Sequence, residues 1–129
     1  LVKLIKDALP KQNPIYIDKS IRRIFQAIRI QVNDELDELR KSLTSIKDVI
    51  SKNGVIVCIS YHSLEDKIVK KFMNELTSGC TCDPSIAICV CSNVESFKFP
   101  NKKKYYPSKE EIETNSRAKS ATLRYVIKL

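Results

Sequence analysis

The chain has 129 residues, the length of one ordinary domain, and a net charge of +8 at pH 7. Its two glycines, Gly54 and Gly79, stand alone. The chain therefore has no glycine-rich loop of the kind found in dinucleotide, P-loop and methyl-donor sites. In those loops, clustered glycines let the backbone approach the ligand closely. No apolar run approaches the roughly 18 residues of a membrane span, and no secretory signal opens the chain. Because Leu1 already falls inside a helical pattern, we expect this sequence to be a piece of a longer protein.

Positive charge is concentrated in the last quarter of the chain. Residues 96–129 hold nine Lys or Arg and three Glu. A basic segment of this kind favours a polyanion such as RNA, bound through phosphate contacts that carry little sequence information. A lysine-rich solvated surface is the alternative.

The first element is a short helix over residues 1–9. Pro10 and Pro14 are expected to end it, because proline lacks the amide hydrogen that a helix interior needs. The segment "PIYIDK" then reads as a short extended link.

A long amphipathic helix is predicted over residues 21–50, where apolar residues recur at spacings of three and four. Asp18 or Ser20 would cap its start and Gly54 would close its end. We expect an interruption at residues 42–45, where three hydroxyl side chains compete for backbone hydrogen bonds.

The segment "GVIVCIS" predicts a strand, because residues 55–59 form a continuous apolar run rich in β-branched side chains. Such a run is typical of a strand buried on both faces in a parallel sheet. A second helix follows, with Ser63 as N-cap, Asp66 three residues later, and Gly79 at its end. Its buried row would be Leu64, Ile68, Val69, Phe72, Met73 and Leu76. Helix, strand and helix in this order indicate an α/β sheet.

His62, the only histidine, falls where this strand meets the helix. In open α/β sheets, ligands bind outside the carboxyl ends of the strands, and a helix N-terminus adds amide groups suited to a phosphate or a polar base edge. The alternative is that Ser63 only caps the helix and that His62 bonds a neighbouring loop. Glu65 and Asp66 suit the first helical turn and are interpreted as structural.

Four of the five cysteines lie in "CTCDPSIAICVC", residues 80–91, as two CxC pairs. Four thiolates could form a tetrahedral zinc site. The usual knuckle has two residues between paired cysteines, however, so a loop with reduced cysteines is the alternative. We therefore assign no metal site. Cys58, inside the strand, is interpreted as a small core residue.

The end of the chain holds a lysine cluster with aromatics, "FKFPNKKKYY", a helix start with Ser108 and Glu111, and a final alternating segment, "SATLRYVIKL". The alternation predicts a terminal strand. Ala121, Leu123, Tyr125 and Ile127 would share one face, and Thr122, Arg124, Val126 and Lys128 the other. Arg117, just before this strand, could clamp a phosphate or a helix carbonyl.

Three segments together resemble one family. "RIFQAIRIQVNDELDEL", "ISYHSLEDKIVKKF" and "PSKEEIETNSRAKSATLR" are similar, in order, to motifs of the small-subunit ribosomal RNA cytosine-N4 methyltransferases, the RsmH or MraW family. The resemblance covers nearly the whole chain from Asp18 onward. Ser116 stands where the family usually has proline, Lys119 where it has arginine, and Thr122 where it has lysine. The "DKSIR" segment also lacks a histidine that is usual there.

The resemblance implies an α/β fold: the C-terminal part of a class I Rossmann-like methyltransferase domain, residues 18–129, preceded by the end of an inserted helical domain, residues 1–17. The cofactor would be S-adenosyl-L-methionine, bound mainly in an N-terminal half that is not in this sequence. We therefore assign no cofactor-binding residue here. The implied activity is N4-methylation of a cytidine in small-subunit ribosomal RNA by the full-length cytoplasmic protein, with this fragment alone inactive.

We expect His62 and Ser63 to line the pocket near the target base or the donor. Basic side chains would hold RNA phosphate; these are Arg29, Lys102, Lys103, Lys104, Arg117 and Lys119. No catalytic residue is assigned, and the partner is ribosomal RNA or the small ribosomal subunit rather than a membrane. Two alternatives stay open. The chain could be a non-catalytic RNA-binding module, or a fragment that forms a homodimer through an exposed sheet edge, whose backbone groups would lack partners.

Overall fold

The computed structural model describes residues 1–79, 82, 88, 91, 95–101 and 104–129. It divides into two compact units, Leu1–Glu38 and Leu39–Leu129. The helices are α1 (Val2–Ala8), α2 (Pro14–Val32), α3 (Glu35–Val49), α4 (Ser63–Leu76), α5 (Lys109–Thr114) and a 3₁₀ helix (Ser116–Ser120). The strands are β1 (Val55–Ser60), β2 (Phe97–Lys98) and β3 (Thr122–Lys128). Among the described residues, no helix is both long and apolar enough to cross a bilayer.

In the first unit, the predicted short helix is confirmed as α1. The prediction of an extended link after it was wrong. The "PIYIDK" segment is the first turn and a half of α2. The Asn13 side chain caps this helix, with Oδ1 accepting from the Ile15 amide at 2.8 Å, and Pro14 occupies its first turn. Proline is favoured there because its fixed φ suits a helix and its missing amide hydrogen would have no partner anyway. Asp18, one of the two predicted caps, lies inside the helix and pairs with Arg22 at 2.8 Å.

The predicted long helix is interrupted earlier than expected. The break falls between α2 and α3 at Asn33 and Asp34, and Asp34 has a φ of 52°, in the left-handed region that a helix cannot contain. At the expected site, the Thr44 and Ser45 hydroxyls donate to carbonyls one turn back, at 2.9 and 3.0 Å. Because these bonds stay within the helix, the hydroxyl residues leave α3 continuous.

The second unit is built on a three-stranded sheet of order β1-β3-β2. β1 pairs with β3 from Val55↔Ile127 to Ser60↔Thr122, and β2 pairs with the end of β3. Both predicted strands are confirmed. The pairs in the described sheet are all antiparallel, however, whereas we expected β1 to lie among parallel neighbours. β1 is an edge strand of this described sheet.

The core lies on one face of the sheet, where α3 and α4 cover it. Its fully buried members are Leu43, Ile56, Val69, Met73, Phe97 and Val126. Burial alternates along β1, so Ile56 and Ser60 are buried while Val55, Val57 and Ile59 are about half exposed. The expectation that β1 is buried on both faces was therefore wrong for this chain, because both helices pack on the same side.

In the turn between α3 and β1, Gly54 is needed because a side chain would not fit there, and not because its backbone has a positive φ. Asn53 takes the left-handed conformation, with φ of 63°, and neither glycine has a positive φ. A Cβ on Gly54 would stand 2.5 Å from Ile50 Cγ1 and 2.8 Å from the Ser51 carbonyl oxygen. The helix itself ends earlier, at Val49.

The structure also shows what stabilises the end of α3, where α4 ends and how α5 starts. Lys128 Nζ donates to the carbonyl oxygen of Ile50 at 2.7 Å, so the last strand supplies a cation to the end of α3, where the helix dipole favours one. α4 ends at Leu76, three residues before the predicted Gly79, and Thr77 is its C-cap. The Ser108 cap of α5 is confirmed, since its Oγ accepts from the Glu111 amide at 3.1 Å.

Candidate functional site

The joint between β1 and α4 is held by one carboxylate. Oε2 of Glu65 accepts from the amides of Tyr61, at 2.9 Å, and His62, at 3.3 Å. In return, His62 Nδ1 accepts from the Glu65 amide at 3.4 Å, which completes a capping box. The predicted cap, Ser63 with Asp66, was therefore one residue too late. An imidazole nitrogen accepts the bond that a serine oxygen would usually accept.

This cap determines how the imidazole of His62 is held. Because Nδ1 accepts a hydrogen bond, the neutral ring carries its proton on Nε2. Nε2 is buried and lies 3.0 Å from Glu65 Oε1, a close electrostatic contact that lacks the alignment of a hydrogen bond. The side chain is 15% exposed. Both ring nitrogens of His62 therefore face Glu65. His62 stabilises the joint through the capping box, and it also lies at the edge of the joint.

An ion pair between a buried arginine and a partly buried aspartate anchors the other side of the joint. Arg124 of β3 donates to Asp66 of α4 through Nε at 2.8 Å and Nη2 at 3.0 Å, with the side chains 7% and 20% exposed. The Ser60 hydroxyl lies 3.4 Å from both Asp66 Oδ1 and the Thr122 carbonyl oxygen, and it can donate to either. The hydrogen bonds from Arg124 lower the pKa of Asp66, and its positive charge and that of Lys104 add to this effect, although burial opposes it. The pair thus joins β1, α4 and β3 at one point.

The sequence contains a signal for this pair. The alternation of the last strand placed Arg124 on the same face as Val126, and Val126 is in the core. A charged side chain on a buried face needs an oppositely charged partner. Asp66, in the first turn of the adjacent helix, is that partner.

Three of the predicted phosphate-binding residues lie at the same end of the sheet as the joint. Arg117 and Lys119 are exposed on the 3₁₀ helix, which leads directly into Thr122, the partner of Ser60 in the sheet. Lys104 precedes Tyr105, which forms a bridge to the next residue of β3. The structure therefore brings these cations and the predicted residues His62 and Ser63 to one end of the second unit.

The remaining predicted phosphate-binding residues are Arg29, Lys102 and Lys103. Arg29 lies in the first unit, where its guanidinium pairs with Glu35 through Nε at 2.8 Å and Nη2 at 3.1 Å. Lys102 and Lys103 lie outside the described residues. Their phosphate-binding roles therefore stay predictions.

The zinc hypothesis also stays untested. Two of its four cysteines, Cys80 and Cys89, lie outside the described residues. In the part of the chain that the structure covers, no group of three or more His, Cys, Asp or Glu side chains is placed to hold a metal ion. Cys58 packs against the core, and burial raises the pKa of its thiol above the ordinary value.

Comparison with known proteins gives a consistent result. The model of the MraW methylase family matches residues 1–129. Proteins named ribosomal RNA small subunit methyltransferase H are 42% identical in Brevibacillus brevis, 43% in Finegoldia magna and 45% in Chloroherpeton thalassium. Each alignment covers 100% of this chain but only 40% to 42% of the relative. The chain thus spans about two fifths of the length of the curated relatives it matches.

Proposed function

Because the chain belongs to the MraW methylase family, we propose that it is part of a methyltransferase that transfers a methyl group from S-adenosyl-L-methionine to the N4 amine of a cytidine in small-subunit ribosomal RNA. The complete protein here means a polypeptide of the length of its relatives that contains this chain. We propose that residues 1–17 end an inserted helical domain, that residues 18–129 complete the catalytic domain, and that the protein works in the cytoplasm.

The surroundings of the two glycines bear on where the methyl donor would bind. A donor cradle needs glycines at which a ligand can replace the missing side chain. The space beside Gly54 is already taken by Ile50 and Ser51, and Gly79 lies beyond the end of α4, at the opposite end of this helix from the β1–α4 joint. The donor is therefore proposed to bind mainly outside these residues, and the chain alone is expected to transfer no methyl group.

The observation that supports a substrate role is the pairing of Ser60 with Thr122. It brings the segment carrying Arg117 and Lys119 beside the β1–α4 joint. The exposed cations suit RNA phosphates, and the amides and side chains of the joint suit a polar base edge. The cytidine N4 amine is a weak nucleophile because its lone pair is delocalised into the ring, so accurate placement of the base would supply much of the acceleration.

The experiment is methyl transfer by the complete protein from labelled S-adenosyl-L-methionine to small ribosomal subunits, followed by nucleoside analysis of the RNA. We expect N4-methylcytidine, and label on another nucleoside would contradict the proposal. A double Arg117→Ala, Lys119→Ala variant should raise KM for the RNA with little change in kcat. Lys52→Ala, an exposed lysine at the opposite end of β1, should leave KM unchanged.

The role of His62 needs variants that separate its cap from its imidazole. His62→Ala removes both, whereas His62→Asn keeps a side chain that is favoured at the N-cap. If His62 lines the substrate pocket, both variants lose methylation while His62→Asn keeps the stability of the wild type. Full activity of His62→Asn would show that the residue acts only as a cap.

Two other functions stay proposals. A non-catalytic RNA-binding module would bind RNA with a steep salt dependence, and the complete protein would then transfer no methyl group. A homodimer through the sheet edge is favoured by the position of β1 at the end of the described sheet, with Val55, Val57 and Ile59 half exposed. Sedimentation of the chain over a range of concentrations tests it, because a dimer would dissociate on dilution.

A further inference from the structure

The carboxylate of Glu65 makes more contacts at the β1–α4 joint than a helix cap requires. In a capping box, a side-chain oxygen of the third helical residue accepts from the backbone amide of the cap. Here Oε2 alone accepts from the amides of both Tyr61 and His62, at 2.9 and 3.3 Å. The other oxygen, Oε1, lies 3.0 Å from His62 Nε2. Oε1 is therefore not needed for the cap, and it faces the imidazole.

The imidazole of His62 depends on Glu65 at both of its nitrogens. Nδ1 accepts from the Glu65 amide at 3.4 Å, so the proton of the neutral ring lies on Nε2. Nε2 is buried and has no aligned hydrogen bond to any described residue, and a buried N–H group without an acceptor is destabilising. Its distance to Oε1 is already that of a hydrogen bond. Because the terminal torsion of a glutamate is broad, a modest rotation of the carboxylate or of the ring would complete this bond.

This arrangement limits what His62 can do in the proposed methyl transfer. Nδ1 is occupied by an amide and Nε2 carries a proton, so the neutral ring has no free acceptor for a proton from the cytidine amine. The side chain is 15% exposed, so it can contact the base only through the small part of its surface that is uncovered. Its contribution to the reaction is therefore where that surface lies, and small displacements of a reacting group are costly to the rate.

We propose that Glu65 is a positioning residue of the methyltransferase. Its carboxylate fixes the tautomer and the orientation of the His62 ring, and through that ring it fixes the position of the target base. The proposal rests on the proposed methyl transfer and on the placement of His62 near the base. Glu65 supplies an acceptor to Nε2 and a donor to Nδ1, so a turn of the ring disrupts one contact or both.

A Glu65→Gln variant separates the two roles of the carboxylate. Glutamine also occurs at this position of capping boxes, and its side-chain oxygen can accept from the amides of Tyr61 and His62 as Oε2 does. Its NH₂ group then takes the place of Oε1 and directs a donor at the Nε2–H group. The cap is kept, and the contact that orients the imidazole is lost.

The kinetic test uses the complete protein with labelled S-adenosyl-L-methionine and small ribosomal subunits. For Glu65→Gln, we expect kcat to fall by roughly ten- to a hundredfold, the range that misplacement of a reacting group can cost. KM for the RNA should change little, because the proposed phosphate-binding residues Arg117 and Lys119 are untouched. The midpoint of urea unfolding should stay that of the wild type, since the cap is preserved.

The tautomer itself is measured by NMR of the complete protein with isotope-labelled histidine nitrogens. The signals of His62 are those missing from the His62→Asn variant. In the wild type they should show an unprotonated Nδ1 and a protonated Nε2. In Glu65→Gln this single tautomer should give way to a mixture, because a donor now faces Nε2.

The matched control is Glu75→Gln, the same change in the same helix, where the Glu75 side chain is 57% exposed and lies 3.8 Å from Lys71. It should leave kcat, KM and the His62 tautomer unchanged. The proposal is refuted if Glu65→Gln methylates at the wild-type rate, if its kcat falls while the tautomer stays the same, or if it loses as much stability as Glu65→Ala, which also removes the cap. If the wild type transfers no methyl group while Glu65→Gln still changes the tautomer, Glu65 fixes the ring and the proposed enzyme is wrong.

Discussion

The ion pair between Asp66 and Arg124 is expected to contribute substantially to the stability of the second unit. Asp66→Asn replaces one of the two carboxylate oxygens by an amide that donates toward the guanidinium, and it removes the charge of the pair. Two charge-assisted hydrogen bonds of 2.8 and 3.0 Å are affected. At about 1.5 kcal/mol each, the lower value for such bonds because Asp66 is partly exposed, the free energy of unfolding should fall by about 3 kcal/mol.

The loss should depend on pH in a defined direction. The hydrogen bonds from Arg124 hold the pKa of Asp66 below its ordinary value of 3.8 in the folded chain. A lowered pKa in the folded state means that the stabilisation is complete above the unfolded pKa and disappears as the pH falls through the folded pKa. The difference between wild type and Asp66→Asn should therefore be constant above about pH 5 and should shrink steadily below about pH 4.

Urea unfolding followed by circular dichroism, at pH 7 and at steps down to pH 3, measures both effects. Asp18→Asn is a matched control, since Asp18 and Arg22 form an Asp–Arg pair of the same 2.8 Å length with side chains 59% and 79% exposed. It should cost well under 1 kcal/mol. A loss below about 1 kcal/mol for Asp66→Asn, with no pH dependence, would refute the assignment of the pair as an anchor.

Three other substitutions or reactions follow from packing and burial in the second unit. Gly54→Ala should lower the free energy of unfolding by about 1–3 kcal/mol, because the new methyl group would overlap Ile50. Gly79→Ala should be neutral in the same urea titration, because none of the described atoms lies within 4 Å of the added methyl group. Met73→Ala should cost about 2–5 kcal/mol, since this side chain is fully buried, and a smaller loss would mean that the core closes around the gap. Because burial raises the pKa of Cys58, iodoacetamide at pH 8 should alkylate it more slowly than a cysteine in a short peptide, as followed by mass spectrometry; equal rates would contradict the buried placement.

The elements with strong periodicity were predictable from the sequence. The β-branched run of residues 55–59, the helix after it and the alternating C-terminal segment each appear where expected. Helix boundaries were less predictable, because they depend on single backbone conformations. Pro14 was interpreted as an end of structure although Asn13 before it makes it a helix start. The break at Asp34 depends on one left-handed residue in a stretch whose apolar spacing is continuous.

The location of the candidate site was also predictable, but its internal contacts were not. A strand followed at once by a helix places the intervening residues at a sheet end whatever the neighbouring strands are. The contacts depend on which side chain reaches which partner. A serine beside a histidine is the more common cap, yet the imidazole of His62 accepts the bond from Glu65. The partner of Arg124 is 58 residues away along the chain, and only the register of β1 with β3 brings Asp66 to it.

The two adjacent carboxylates of α4 explain why structural residues determine the geometry of the site. Glu65 holds the amides of residues 61 and 62, and Asp66 holds β3 through Arg124. Consecutive helical positions point about 100° apart, so two neighbouring side chains can reach two different sides of the joint. One fixes the segment that presents Tyr61 and His62, and the other fixes the strand that the cations of the 3₁₀ helix precede. Their interpretation as structural was therefore correct. Through these two contacts, α4 holds the joint that is proposed to face the base and the strand that follows the proposed phosphate-binding cations Arg117 and Lys119.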